Sequence, residues 1–434
     1  PQMSPPEDFG DQRLAATREF AQTMIVVDDE AWKPLPLGAA PREGLRPPRR
    51  GQTRSAEAER EQKFRIQHAL DTETLIDAAM GIGLICSVIR PPKGKSIRTQ
   101  VGSAAKRADI VCLDWELHSD GGDSATKIIT EIVRSDEKQK GRLRLIAIYT
   151  GDTNNNQILE KVFNAISKSY RERFELKRDM IRIESNHGLR IVCLFKAHGV
   201  QLADARKDRQ VTESNLPERL QKEFAVLAGG LLSNVALATI ASIRDSTHHV
   251  LAKMAATMDG PYFHHRAILP MVSDAERYSV EIILSVLKSA VDKRGVGQKY
   301  AGPEAIAARI REMAGGAATL RLCYESTGPK NFEISVEDAI KLVTLGTNNT
   351  THGEIAGNKP SLKIFAREMS SLFVTNPTAA YSAMCQFAVL TGIGAYPGSD
   401  VYTSGSNSPQ LGLGTIIQNS KRDYYLCLQA SCDS

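Results

Sequence analysis

Five short, mostly apolar runs constrain the fold of this chain more than any other feature. They are Met24-Ile25-Val26-Val27, Leu84–Ile89, Ile110–Leu113, Leu145–Tyr149 and Ile191–Phe195. A strand with one face in water alternates apolar and polar residues, so runs this short and this continuous are strands covered on both faces. Between them, Glu73–Met80, Ser124–Arg134 and Asn156–Tyr170 repeat apolar residues every three or four positions, the helical period. Strands that alternate with helices predict a parallel, doubly wound α/β sheet of five strands.

The remaining sequence divides around that pattern. Residues 1–20 read as an N-terminal tail, 21–228 as the α/β domain and 229–434 as a mostly α-helical domain with a short terminal β-hairpin. Two charged insertions interrupt the α/β rhythm, at 31–65 and 171–187. The first carries nine Lys or Arg against four Glu, a net of five positive charges. That equals the whole excess of 55 Lys plus Arg over 50 Asp plus Glu, so the basic character belongs to one flexible loop. The loop lacks the interleaved aromatics of a nucleic-acid surface. Leu216–Met254 is long, apolar and broken by Gly229-Gly230, which suits a last helix running into a connecting or dimerising one. Further helices are expected at Asp274–Lys293, Pro303–Met313, Val336–Leu345, Pro360–Phe373 and Thr378–Val389, and a hairpin at Thr415–Leu428. No apolar stretch reaches about 18 residues, and Pro1–Gly10 has no signal-peptide core, so a cytoplasmic protein that neither spans nor leaves a membrane is expected. Seven cysteines without zinc or redox spacing fit a reducing compartment, with Cys86, Cys112 and Cys193 as small core residues.

In open parallel sheets, chemistry gathers beyond the carboxyl ends of the strands. Here those ends carry Asp28-Asp29-Glu30, Asp114, Thr150-Gly151 and Lys196. Clustered carboxylates repel one another and are costly to desolvate, and hard oxygen donors in a partly hydrated site favour Mg2+. A carboxylate facing a lysine beside a divalent ion is a nucleophile set where a transferring phosphoryl group needs positive charge. Asp114, at the end of the central strand, is the candidate acceptor.

These four segments, in this order on four expected strands, resemble the receiver domain of two-component response regulators. The resemblance covers roughly Ala21–Ala228 and implies a flavodoxin-like sheet with its switch point between the first and third strands. It implies further that Asp28 and Asp29 form the metal-binding acidic pair, Asp114 is phosphorylated and Glu116 offers its backbone carbonyl to the metal. Thr150 and Lys196 would hold the phosphoryl group. Glu116 and Asp152, two positions beyond Asp114 and Thr150, lie where side chains tune acyl-phosphate lifetime. Two departures stand out. Ala197 follows the lysine where receivers usually carry proline, and Cys193 replaces the aromatic residue through which receivers usually signal.

The resemblance therefore implies a phosphoacceptor, itself not an enzyme, that takes phosphate from a sensor histidine kinase. The altered relay, the insertions and the helical partner domain look like the response-receiver proteins of Detocs-type anti-phage systems. There, one receiver acts as a phosphate sink that buffers a second, effector-bearing regulator. The alternative is a C-terminal effector enzyme of unfamiliar type switched on by receiver phosphorylation, with homodimerisation through 216–254. His248-His249 and His264-His265 lack a completing ligand set and are expected as surface or capping residues.

Overall fold

The computed structural model describes residues 8–31, 70–91, 96–139, 141–185, 188–197, 204–325, 329–346, 382–387, 390, 416–421 and 423–426. All but the first residue of the basic insertion, the expected helix at Pro360–Phe373 and most of that at Thr378–Val389 lie outside this set. The chain forms two compact units, Pro1–Ala305 and Ile306–Ser434.

The first unit is built on a sheet whose strands are β1 (Thr23–Val27), β2 (Ile85–Ile89), β3 (Ile110–Leu113), β4 (Arg144–Thr150), β5 (Lys177–Arg178), β6 (Arg182–Glu184), β7 (Leu189–Lys196) and β8 (Gln210–Val211). The order is β2-β1-β3-β4-β7-β6-β5, with β8 also paired to β7. Its first five members are parallel and give the flavodoxin-like order, with the switch point between β1 and β3. The continuous apolar runs are explained by two cores, one on each face. Ile25, Val27, Val111, Leu113, Ile146, Ile148, Ile191 and Cys193 point to one, and Met24, Val26, Ile110, Cys112, Leu145, Ala147, Val192 and Leu194 to the other. The exception is β2, an edge strand whose Ile85 is exposed and whose Cys86 is only partly buried.

Helices α1 (Phe9–Phe20), α2 (Thr72–Gly81), α3 (Ser96–Ala105), α4 (Asp123–Lys138), α5 (Asn155–Ala165), α6 (Lys168–Arg173), α7 (Leu216–Leu227) and α8 (Leu231–Lys253) cover the sheet and its flank. Asp71 caps α2 by accepting the Thr74 N–H at 3.1 Å. The break between α7 and α8 falls at Gly229-Gly230, as the sequence indicates.

Three features differ from expectation. Residues 1–20 are not all tail, because α1 buries Phe9, Ala16 and Phe20, and Phe20 packs on Phe224 of α7 with ring centroids 5.9 Å apart. The charged stretch 171–187 is not simply an insertion, since it supplies β6, which pairs antiparallel with β7, and β5, which pairs antiparallel with β6. Compact packing runs past Ala228 to Ala305, because α8 buries Leu237, Ala238 and Ala241 in this unit. Of the segment expected to dimerise, α7 already buries Leu216, Leu220 and Phe224 in the core, whereas α8 leaves Leu232, Ile240 and Leu251 exposed.

The unit continues through α9 (Asp259–Ile268), α10 (Asp274–Lys293) and α11 (Val296–Ala301), with α12 (Pro303–Ala314) leading out of it. In the second unit, the hairpin β9 (Thr319–Glu325) to β10 (Pro329–Ser335) precedes α13 (Val336–Leu345). Ser335 caps α13 by accepting the Asp338 N–H, and Ile310, Ile334, Ala339, Ile340 and Leu342 form a small core. A terminal hairpin, β11 (Ile416–Gln418) with β12 (Tyr424–Leu426), matches the sequence expectation. No helix among the described residues is long and apolar enough to cross a membrane.

Candidate functional site

The parallel ladder places the acidic residues side by side. Val27 is in register with Leu113, so Asp28 and Asp114, each one residue further, leave the sheet together. The Asp114 N–H donates to the Val27 carbonyl at 2.9 Å and the Asp28 N–H to that of Ile89 at 3.1 Å, which fixes both backbones. Ligand oxygens of Asp28, Asp29 and Asp114 all lie within 4.8 Å of one another. Asp28 and Asp114 are buried and Asp29 is half-buried.

Lys196, the last residue of β7, enters this group from the side and is wholly buried. Its Nζ donates to Asp28 Oδ2 at 3.0 Å and stands 3.2 Å from Asp114 Oδ1, with the Tyr149 ring 5.7 Å away. Burial works against the ammonium, but the charges of Asp114 and Asp28 outweigh it and the lysine pKa is raised. Burial pushes the Asp114 carboxyl well above the usual carboxylate range, helped by the Asp28 charge and opposed by Lys196. Asp114 Oδ1 faces the Lys196 ammonium, and its Oδ2 is buried without a hydrogen bond. With all three carboxylates ionised, as metal binding would require, one ammonium leaves two negative charges, which one divalent cation balances. Hard oxygens in that setting fit magnesium, which Asp28, Asp29, Asp114 and the Glu116 carbonyl would hold. The Glu116 carbonyl also accepts the Ser119 N–H at 3.0 Å, so one of its two lone-pair directions is engaged.

Thr150 ends β4, paired to β7 through Phe195, and is fully buried. Its Oγ1 accepts the Asp152 N–H at 3.0 Å, and Asp152 in turn accepts the Asn154 N–H at 2.9 Å, a turn that fixes the loop. Burial raises the Glu116 carboxyl pKa, and the charges of Asp152 and Asp120 add to the effect. Cys193 is buried on the opposite side from solvent, its thiol pushed up to about 12 by desolvation. Its carbonyl accepts Arg209 Nη1 at 3.1 Å, and Arg206 Nη1 reaches the Thr153 carbonyl at 2.9 Å. An arginine-bearing segment before β8 therefore binds both the Cys193 strand and the loop after Thr150, which the sequence reading did not foresee.

Two further residues were also not foreseen. Trp115, 3% exposed, lies so close to Gly122 that a Cβ there would sit 2.1 Å from the indole. Gly122, with φ 82°, is needed both for its backbone and for that approach. Lys161 of α5 ties the same loop down through the Gly121 carbonyl and the Asp123 carboxylate, at 2.9 and 2.5 Å. His118, inside this loop, brings its Nδ1 to 3.3 Å from Asp29 Oδ2. The Gly121-Gly122 pair was the one sequence signal of a special turn after Asp114.

No curated protein and no solved structure matches this sequence. Residues 20–201, which carry the five parallel strands and their acidic edge, match the family model described as the response receiver domain.

Proposed function

We propose that Asp114 accepts a phosphoryl group from a histidine kinase. The observation that carries this reading is the convergence of Asp28, Asp29 and Asp114 within 4.8 Å beside the buried ammonium of Lys196. A receiver domain implies a phosphoacceptor role in two-component signalling, with a histidine kinase as partner. In the step, an Asp114 carboxylate oxygen attacks phosphorus, the phosphorus–nitrogen bond of phosphohistidine breaks, and the imidazole leaves with a proton. Lys196 pairs with a phosphoryl oxygen, while the Thr150 hydroxyl can donate to another. Bound magnesium would neutralise charge on the equatorial oxygens. Asp28 orients Lys196 by accepting its hydrogen bond.

We read the whole chain as a phosphate sink, of the kind that buffers a second regulator in anti-phage signalling. Support comes from Cys193, a small buried residue held by Arg209 where an aromatic relay would sit. A receiver without that relay can hold phosphate without passing a rotamer change to its surface.

Phosphoramidate, whose phosphorus–nitrogen bond stands in for phosphohistidine, tests the acceptor directly. Incubation with the donor and magnesium should add one phosphoryl group to the wild type by intact mass and none to Asp114→Asn. Equal labelling of both would overturn the assignment. Mixing with a phosphorylated kinase and a second receiver tests the sink: the second receiver should lose label as this protein is added. Unchanged labelling of the second receiver would reject the sink role.

A further inference from the structure

We propose that His118 is a positioning residue for Asp29, holding that carboxylate in the orientation the metal site requires; the inference rests on the metal-assisted reading above. Three observations meet at this side chain. The first is backbone strain. His118 adopts φ 61° and ψ 21°, and Ser119 follows at φ 57°, two consecutive non-glycine residues in the left-handed region. Such residues are disfavoured unless the surroundings impose them, and they gather where geometry serves a site. The same loop uses glycine for its next left-handed positions, Gly121 and Gly122, so the chain has the cheaper residue at hand and does not use it at 118.

The second observation is what the strained turn achieves. It lifts the imidazole back over the strand ends, so that Nδ1 stands 3.3 Å from Asp29 Oδ2, with both side chains about one-seventh exposed. Asp28 is held by Lys196 and by the Glu30 N–H at 2.8 Å, and Asp114 stands against Lys196. Asp29 meets the His118 imidazole. The third observation is the other ring nitrogen. Nε2 is buried with no hydrogen-bond partner, so the polar contact the ring makes among the described residues is the one from Nδ1 to Asp29.

Nδ1 faces one oxygen of the Asp29 carboxylate, a contact that favours one orientation of that group. An oxygen of the same carboxylate lies within 4.8 Å of ligand oxygens of Asp28 and Asp114. His118 does not itself belong to the group of ligand atoms within 4.8 Å. Its role is that of the outer contact which fixes a ligating carboxylate, and loss of such a contact typically weakens metal affinity by about 10–100-fold.

Isothermal titration calorimetry of the full chain with magnesium chloride tests the role, with four variants compared. His118→Ala should weaken binding by about 10–100-fold. His118→Asn, whose amide nitrogen can stand where Nδ1 does, should restore affinity to within about threefold, a margin well under the loss expected of alanine. His118→Gly relieves the left-handed strain, so its melting temperature should rise above that of His118→Ala while its magnesium affinity stays low. A purely structural residue would move stability and affinity together. Asp29→Asn should bind no more tightly than His118→Ala. Magnesium affinity unchanged or increased in His118→Ala, or an asparagine variant as weak as alanine, overturns the positioning role alone. A wild type that shows no saturable magnesium binding overturns the role together with the metal site on which it rests.

Discussion

Lys196 shows how far single side chains decide this site. It is fully buried against Asp28 and Asp114, and its charge opposes the rise that burial imposes on the Asp114 carboxyl. Lys196→Met should destabilise the protein by about 3–5 kcal/mol in urea unfolding, because it leaves buried acidic charge uncompensated. Adding Asp28→Asn to that variant should recover part of the loss, since removing both charges costs less than removing one. These residues were legible because each stands directly after an apolar strand, and strand ends of a parallel sheet face the same way. His118 was not legible, since its place near Asp29 comes from two left-handed residues and not from any spacing. Trp115 and Gly122 escaped for the same reason: their fit is a matter of approach in space.

At the scale of elements, the buried ion pairs decide how helices seat on the sheet. Glu223 of α7 accepts Arg190 Nε and Nη2 from β7 at 3.1 and 2.8 Å, and Arg219 Nη2 from its own helix at 2.8 Å. Burial would raise its pKa, but the hydrogen bonds and charges of Arg190 and Arg219 prevail and the pKa is lowered. A carboxylate with a lowered folded pKa stabilises the fold fully above its unfolded value, about 4.3, and loses that contribution as pH falls through the folded value. The urea midpoint of the wild type should therefore exceed that of Glu223→Gln at pH 7, and the gap should close on acidification below pH 4. A gap that persists unchanged in acid would show that the side chain acts by shape and not by charge. The five parallel strands and α2, α4, α7, α8, α10 and α13 could be read from periodicity. The short strands β5, β6 and β8 could not, because they are two or three residues long and rich in charge, and tertiary pairing alone makes them strands. Helix α1 was hidden by polar residues in its buried face, Gln12 and Thr17 among them.

For the whole molecule, the extent of the family match and the extent of packing differ. The match ends at residue 201, whereas the compact unit reaches Ala305 and takes in α1, α7 and α8. A fragment of residues 20–201 should therefore melt well below a fragment of residues 8–305, having lost the helices that bury Phe224, Leu220 and Leu237. Each such side chain contributes about 1.5–3 kcal/mol on burial, so the difference should be plain by calorimetry. Equal melting temperatures would mean that these helices are accessory. The sequence divided the chain at Ala228 because the glycine pair there ends a helix; that a helix continues packing beyond such a break depends on which faces meet in space. A last consequence follows from β6 and β8, which both pair with β7. A sheet that ended at β7 would offer an eight-residue, mostly apolar strand as a template for a strand from another molecule. Instead that side of the sheet finishes in Lys177 and Arg178, two exposed cations on a strand too short to recruit a neighbour, which guards the molecule against growth into fibres from the side nearest Lys196.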